Sequence, residues 1–198
     1  MDEAALIRAA QRGNLDAFNE LVLAYQQRVY NLAYRMLDDP AAAADATQDA
    51  FLSAYNAIGT FRGGSLISWL LRIVANRCYD ELRRHKRRPV TSLEDFGEMD
   101  EEANPALVNG HESPEASVER HELTRVLQEA MRTLPADQRA VLVLSDIGGM
   151  DYAQIAATVG IPIGTVRSRL SRARARMRDA LRTHGELLPA AYRLEREG

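Results

Sequence analysis

Arginines are concentrated in one short stretch near the end of the sequence. Seven arginines and one acidic residue lie between positions 161 and 182. If this stretch is helical, Val166 and Leu170 fall on one side, and small or basic residues such as Ser168 and Arg172 fall on the other. Small side chains allow close approach to a DNA groove, and arginine can pair with guanine edges or phosphates. The pattern indicates a nucleic-acid-binding helix, with a solvated arginine-rich face as the alternative.

The residues before this helix have the spacing of a helix-turn-helix. Asp151 and Gln154 match a capping box, which predicts that a helix begins there. Gly160 can adopt the left-handed backbone conformation that links two helices at a steep angle. Pro162 suits the first position of the next helix. Joined to these signals, the arginine-rich stretch is predicted to be a recognition helix.

A second group of residues could contact nucleic acid. The loop from Phe61 to Ser65 combines an aromatic side chain, a cation and two glycines, so it could receive an unstacked base. Asn76 lies on the following predicted helix and could hydrogen-bond to a base edge. Arg83 and Arg84 belong to a basic cluster at the end of that helix, where cations also complement the helix dipole. Trp69 has helical spacing and is predicted to be a core residue, with a base-stacking wedge as the alternative.

The hydrophobic spacing predicts an all-α fold, because three- and four-residue steps are common and alternating apolar runs are missing. The predicted helices cover residues 15–38, 43–58, 65–88, 118–134, 136–147, 152–159 and 162–181. They form two small helical domains, 1–88 and 119–183, joined by an acidic linker over residues 89–118 and followed by a tail, 184–198. The second domain contains the helix-turn-helix.

The formal net charge of −3 hides a strong asymmetry along the chain. The formal net charge is +2 for residues 1–88, −9 for residues 89–122 and +4 for residues 123–198. Phosphate groups are bound by local basic patches rather than by the net charge of the whole chain, so this distribution is compatible with nucleic-acid binding. The linker has few apolar residues to anchor it and is expected to be flexible.

Composition argues against several other classes of protein. The single cysteine, Cys78, excludes an intrachain disulfide and is expected to be a small buried hydrophobic residue. No cofactor or metal is expected, because the four histidines are scattered and the acidic run 98–102 lacks the spacing of a calcium loop. No apolar run approaches the ~18 residues needed to cross a bilayer, and the N-terminus lacks a secretory h-region. A cytoplasmic protein without membrane insertion is expected.

The chain resembles the extracytoplasmic-function (ECF) sigma factors of bacteria over nearly its whole length. Four stretches carry the resemblance: DAFNELVLAYQQRVYNLAYRML, ADATQDAFLSAYNAI, TFRGGSLISWLLRIVANRCYDELRR and LPADQRAVLVLSDIGGMDYAQIAATVGIPIGTVRSRLSRARARM. The first stretch is similar to the first conserved region of that family, and the second to the segment that binds the polymerase clamp helices. The third is similar to the region that recognises and opens the −10 element, and the fourth to the domain that reads the −35 element. The last match is the most specific.

The resemblance implies a role for three sets of residues. Polymerase contact is implied for Asp45, Gln48, Asp49 and Phe51. Recognition of the −10 element is implied for Phe61, Arg62, Gly63, Gly64, Ser65 and Asn76, and the basic Arg83 and Arg84 are assigned to the same DNA. Readout of the −35 element is implied for Thr165, Arg167, Ser168, Ser171 and Arg172, with Arg139 as a phosphate contact.

A non-enzymatic subunit is therefore expected, which binds core RNA polymerase and promoter DNA and is controlled by an anti-sigma factor. The acidic linker is expected to pass near the RNA path and to mimic the charge of RNA. An enzyme is disfavoured because no Ser/His/Asp or H-E-x-x-H spacing is present. A helix-turn-helix regulator that acts without polymerase is the other alternative, but it leaves the first 88 residues without a role. A polymerase-binding assay separates these alternatives.

Overall fold

The computed structural model describes residues 2–87 and 114–183, and this part of the chain forms helices without any strand. The all-α prediction is confirmed. The helices are α1 (Glu3–Gln11), α2 (Leu15–Leu37), α3 (Pro40–Ala57), α4 (Leu66–Arg87), α5 (Pro114–Arg132), α6 (Ala136–Leu142), α7 (Tyr152–Val159) and α8 (Ile163–Thr183). A 3-10 turn, Ile58–Thr60, follows α3, and a π turn, Val143–Ile147, follows α6.

The helix boundaries agree with the sequence analysis at most positions, with three differences. α1 was not predicted; Asp2 caps it by accepting from the backbone N–H of Ala5. α3 begins at Pro40, three residues early, because Asp39 caps the helix and proline suits its first position. α5 begins at Pro114, inside the predicted linker. The rest of that linker (residues 89–113) and the tail 184–198 lie outside the described residues. The flexibility and the RNA mimicry expected of the linker therefore stay predictions.

The first half of the chain packs α1 to α4 around the apolar side of α2. Leu21, Leu32 and Met36 on α2 are fully buried. Cys78 on α4 has no exposed surface, and burial raises the pKa of its thiol to about 12. The prediction that Cys78 is a small buried hydrophobic residue is confirmed.

The second half packs α8 against α5, α6 and α7. The inward face of α8 is the stripe predicted from its spacing, since Val166, Leu170 and Ala173 are buried. Ile155 on α7 is also completely buried. This packing fixes the angle between α7 and α8 and leaves the opposite side of α8 at the surface.

The two halves also pack against each other. α2 lies against α6 and the π turn, and α4 lies against α7. Gly148, directly after the π turn, lies close to α2: an added Cβ would lie 3.3 Å from Leu32 Cδ1, and 2.7 Å from the carbonyl oxygen of Leu144 in the π turn itself. Glycine is needed there because a Cβ would collide with the backbone of the π turn itself, while the Leu32 side chain on α2 would also have to shift slightly. One hydrophobic core therefore continues from the first half into the second.

Candidate nucleic-acid interface

The helix-turn-helix is formed by α7, α8 and the turn between them. The backbone N–H of Gln154 donates to the Asp151 carboxylate at 2.8 Å, and the N–H of Asp151 donates to the Gln154 side-chain oxygen at 3.1 Å. Gly160 ends α7 with a φ of 68°, the left-handed conformation that glycine adopts most easily. The predicted capping box and glycine turn are confirmed. Pro162 immediately precedes α8, one residue before the position predicted for it.

The arginines of α8 divide into two groups that the sequence does not distinguish. Arg169 pairs with Asp137 on α6 at 3.2 Å, and Arg174 pairs with Asp146 in the π turn at 2.6 Å. The hydrogen bond from Arg174 to Asp146 raises the pKa of Arg174. Burial alone would raise the pKa of Asp146, but hydrogen bonds from Arg174 and Ser145 outweigh it and hold that pKa below its ordinary value. These two arginines therefore hold α8 against its own domain.

The remaining arginines of α8 are exposed and available to a ligand. They are Arg167, Arg172, Arg176, Arg178 and Arg182. Ser168 and Ser171 are exposed on the same helix, and Thr165 is half-buried at its start. All five α8 residues assigned to −35 readout thus lie on the surface or at its edge.

Arg172 is held in a defined orientation along the helix. Its Nε donates to the backbone oxygen of Ser168 at 3.1 Å, and its Nη2 donates to Ser168 Oγ at 3.2 Å. Ser168 Oγ in turn donates to the carbonyl oxygen of Thr165 at 3.1 Å. The two hydrogen bonds from Arg172 use two of the five N–H groups of the guanidinium, and a guanine edge could accept two of the other three.

The glycine-rich loop between α3 and α4 is shaped by its glycines and by a contact from α1. Gly63 and Gly64 have φ values of 97° and 92°, which side chains other than glycine rarely adopt. Gln11 Nε2 donates to the carbonyl oxygen of Phe61 at 2.9 Å and so ties the loop to the end of α1. The Phe61 ring lies 5.4 Å from that of Trp69, between ring centres. Trp69 is partly buried against the core, as predicted.

The loop leaves its polar residues accessible. Arg62, Ser65 and the two glycines are exposed, and Ser65 also caps α4 by accepting from the backbone N–H of Ser68 at 3.3 Å. Asn76, Arg83 and Arg84 are exposed on α4. Arg84 is already engaged in an ion pair with Glu81 one turn away. The residues assigned to −10 recognition therefore lie on one helix and the loop that precedes it.

α3 carries an exposed acidic face next to an apolar one. Asp45, Gln48 and Asp49 are exposed. Phe51, in contrast, is 8% exposed and belongs to the hydrophobic core, so its assignment as a surface contact is wrong for this structure. The exposed apolar residue is its neighbour Leu52, at 58%, which shares the face of Asp45 and Asp49 by the i, i+4, i+7 spacing. The sequence alone contains this spacing, which places Leu52 rather than Phe51 beside the two carboxylates.

Arg139 lies between the two halves rather than on an open DNA-facing surface. Its side chain is 10% exposed. Its Nε donates to the carbonyl oxygen of Met36 at 3.2 Å, and its Nη2 donates to that of Leu37 at 3.4 Å. Burial lowers the pKa of Arg139, partly offset by the nearby charge of Asp38. In this arrangement Arg139 cannot reach a phosphate, so the expected contact is not formed here.

The described residues contain no group of three or more His, Cys, Asp or Glu side chains that could hold a metal ion. Within the same residues, no helix is both long and apolar enough to cross a membrane.

Comparison with known proteins gives a consistent result over both halves of the chain. The family model for sigma-70 region 2 matches residues 21–88, and the model for sigma-70 region 4 matches residues 124–177. The RNA polymerase sigma-H factor of Pseudomonas aeruginosa is 37% identical over 89% of this chain and 92% of its own length. The ECF RNA polymerase sigma-E factor of Escherichia coli is 35% identical over 88% of this chain and 91% of its own.

The chain belongs to the ECF RNA polymerase sigma factors. In this sigma factor, the region 2 match contains most of α2 with α3 and α4, and the region 4 match contains the C-terminal half of α5 with α6, α7 and most of α8. The acidic face of α3 and the glycine loop thus lie in region 2, and the helix-turn-helix lies in region 4. α1, whose Gln11 holds the loop, precedes the region 2 match.

Solved structures share the arrangement of helices. The structure of CnrH in complex with the cytosolic domain of CnrY matches with 26% identity and a TM-score of 0.53, over 89% of this sigma factor and 95% of that chain. The sigma factor RpoE of Bartonella quintana, solved with the anti-sigma factor NepR, matches with a TM-score of 0.55 over 84% of this chain and 98% of its own. At 24% identity, the second comparison shows the shared fold alone.

Proposed function

We propose that this sigma factor binds core RNA polymerase and directs it to promoters that carry −10 and −35 elements. The observation that supports this most strongly is the presence of both sigma-70 regions in one chain, in the same order as the sequence motifs. A helix-turn-helix regulator that acts without polymerase would have no use for region 2 and its exposed acidic face.

The polymerase-binding surface is proposed to be the exposed face of α3. Asp45, Gln48 and Asp49 provide its polar part, and Leu52 provides an apolar anchor. An exposed leucine flanked by carboxylates suits an interface in which an apolar contact supplies affinity and charges set the choice of partner. Phe51 supports this surface from the core.

The two DNA-binding surfaces are proposed to be separate. The −10 element would be contacted by the loop from Phe61 to Ser65 and by three residues of α4, Asn76, Arg83 and Arg84. The −35 element would be contacted in its major groove by five residues of α8: Thr165, Arg167, Ser168, Ser171 and Arg172. Arg139 would contact a phosphate only after the two halves separate.

The protein is proposed to act in the cytoplasm as an initiation factor without enzymatic activity of its own, since core polymerase carries the chemistry of transcription. An anti-sigma factor is proposed as a further partner. This rests on the likeness to CnrH, which was solved in complex with the cytosolic domain of CnrY.

A transcription assay with purified core polymerase tests the proposal. The template pool carries randomised −10 and −35 segments, and transcripts are sequenced with and without the protein. Enrichment of defined sequences at both segments is expected. Leu52→Glu should abolish polymerase binding, whereas Leu23→Glu, which changes a leucine that is 69% exposed on α2, serves as the matched control. Transcription that does not depend on the protein, or equal polymerase binding by both variants, contradicts the proposal.

A further inference from the structure

The side chain of Gln11, at the end of α1, bridges the turn through which the chain enters the glycine-rich loop. Gln11 Nε2 donates to the carbonyl oxygen of Ile58 at 3.2 Å and to that of Phe61 at 2.9 Å. Ile58 is the first residue of the 3-10 turn, and Phe61 directly follows that turn. A side-chain amide has two N–H donors, so this contact uses both of them.

The middle of the glycine-rich loop has no contact of its own to hold it. Arg62, Gly63 and Gly64 are exposed, and within residues 2–87 and 114–183 they form no hydrogen bond or ion pair. An added Cβ at either glycine would meet no atom within 4 Å, so packing does not fix their position either. The path of these three residues is therefore set by the two ends of the loop.

The two ends of the loop are held in different ways. At the C-terminal end, the carbonyl oxygen of Ser65 accepts from the backbone N–H of Trp69 in the first turn of α4, at 3.2 Å. At the N-terminal end, the ring of Phe61 lies against that of Trp69. Among the described residues, Gln11 is the only one from outside the segment 57–69 that hydrogen-bonds to this stretch of chain. The N-terminal end of the loop therefore depends on α1.

The backbone of Gln11 is fixed on both sides, so its side chain can position another segment. Its neighbour Ala10 is buried in the core, with 2% of its surface exposed. Gly13, with a φ of 90°, turns the chain from α1 into α2. Asn14 then caps α2 by accepting from the backbone N–H of Ala17 at 3.0 Å. Gln11 is the last residue of α1 and stands at this fixed corner.

We propose that Gln11 is a positioning residue for −10 recognition, which holds the glycine-rich loop in the shape that accepts an unstacked base. The inference rests on the proposed function, since it assumes that the loop contacts the −10 element. Gln11 itself would not donate to the base, because both of its N–H donors are bound to the protein. α1 lies before residue 21, where the match to sigma-70 region 2 begins, so that match assigns it no role.

A fixed loop improves discrimination between bases as well as affinity. A loop already in its bound shape loses less conformational entropy when a base enters it. It also cannot shift to improve its fit to a wrong base, whereas a loop released from Gln11 can. The difference in binding between the preferred base and a wrong one would then become smaller. Loss of the Gln11 contact should therefore relax base preference at the −10 element and leave the −35 element, which α8 contacts, unaffected.

Gln11→Met is the variant of choice, because methionine has a similar length and no charge but cannot donate a hydrogen bond. Gln26→Met is the matched control, since Gln26 is an exposed glutamine on α2 whose side chain forms no hydrogen bond to any described residue. Gln11→Arg is the rescue variant. Arginine Nε is as many bonds from Cα as glutamine Nε2 and can donate to the same carbonyl groups. Its charge would raise affinity for all DNA templates alike, which leaves ratios between templates unchanged.

The position of the loop is measured first, in the free full-length protein. Trp69 is the only tryptophan of the chain, and the ring of Phe61 packs against it. Acrylamide should therefore quench the fluorescence of Gln11→Met more strongly than that of the natural chain or of Gln26→Met, and Gln11→Arg should return towards the natural value. Circular dichroism shows that each variant is folded under these conditions. Equal quenching in all of these proteins would overturn the positioning role.

Base preference is then measured by transcription with core polymerase on single-base variants of the −10 and −35 elements. Gln11→Met should lower the ratio between preferred and substituted −10 templates about five- to tenfold, the effect of losing one or two neutral hydrogen bonds. The −35 ratios should not change, and Gln11→Arg should restore most of the −10 ratio. Gln26→Met should behave as the natural chain does.

Other outcomes of the two measurements would overturn the proposal. An equal loss on all templates would show a purely structural role for Gln11. A relaxed −10 preference with unchanged Trp69 quenching would show that Gln11 contacts the base directly, and failure of Gln11→Arg to restore the ratio would show that the donor is not what matters. A complete absence of transcription with the natural chain would instead contradict the proposed function, whereas the quenching would still show whether Gln11 holds the loop.

Discussion

Arg172 offers the sharpest test of how α8 is placed in a major groove. Ser168 accepts hydrogen bonds from Nε and Nη2 of the Arg172 guanidinium, which leaves three of the five N–H groups for a base. A bidentate contact of this kind to guanine contributes about 1–3 kcal/mol of discrimination, which corresponds to roughly 5- to 150-fold in affinity. Arg172→Ala should therefore weaken binding to the preferred −35 element by that factor and relax the base preference at one position.

Arg178 is the matched control for this prediction. It is an exposed arginine of the same helix, about 9 Å further along at ~1.5 Å per residue, and it lies on a different side of α8 from Arg172. Arg178→Ala should weaken binding to all sequences by a similar factor and reduce the slope of affinity against salt by about one contact. The assay is holoenzyme binding and transcription on a set of single-base variants of the −35 element.

The two arginine variants give a clear result in either direction. If Arg172→Ala weakens every sequence equally while Arg178→Ala changes the base preference, the placement of α8 in the groove is wrong. Ser168→Ala refines the test, because it removes the Oγ contact and keeps the backbone contact to Nε. Partial loss of discrimination, smaller than for Arg172→Ala, is the expected result for this variant.

Three further predictions concern other parts of the molecule. Asp49→Arg should weaken binding to core polymerase with an unchanged circular dichroism spectrum, because it reverses a charge on the exposed face of α3; a pull-down with purified core enzyme measures this. The pKa of Asp146 lies below its ordinary value of 3.8, so its pair with Arg174 stabilises the fold at neutral pH and is lost as the pH falls through that lowered pKa. The stability difference between the natural chain and Asp146→Asn, followed by urea unfolding, should shrink below about pH 4. Gly160→Ala should lower the free energy of unfolding by about 1–2 kcal/mol through its left-handed backbone alone, because an added Cβ would meet no atom within 4 Å. The control Gly164→Ala lies in ordinary helical backbone and should not lower the free energy of unfolding.

The sequence was sufficient wherever the controlling interactions are local. The capping box at Asp151 and the turn at Gly160 depend on residues within a few positions, and both form as predicted. The inward stripe of α8 follows from helical periodicity, and Val166 and Leu170 are buried accordingly. The burial of Cys78 was predicted from its residue type, because a free cysteine behaves as a small hydrophobic residue.

Local patterns were less reliable for deciding which side of a helix faces solvent. Phe51 and Leu52 are adjacent and both apolar, and only the packing of α3 on its neighbours buries the first and exposes the second. Similarly, Arg169 and Arg174 look like the other arginines of α8 in sequence. Their partners, Asp137 and Asp146, come from residues about 30 positions earlier and are identified only when the helices are assembled.

The relation between the two halves was decided by tertiary structure alone. Asp38 and Arg139 are about 100 residues apart, and each looks like an ordinary exposed charge in the sequence. The carboxylate meets α5 and α6 because Asp38 takes a left-handed conformation at the end of α2 and Gly148 lets the π turn approach Leu32. Periodicity and capping act over a few residues, so they can specify each helix, but a contact between distant charges exists only after both surfaces have folded and met.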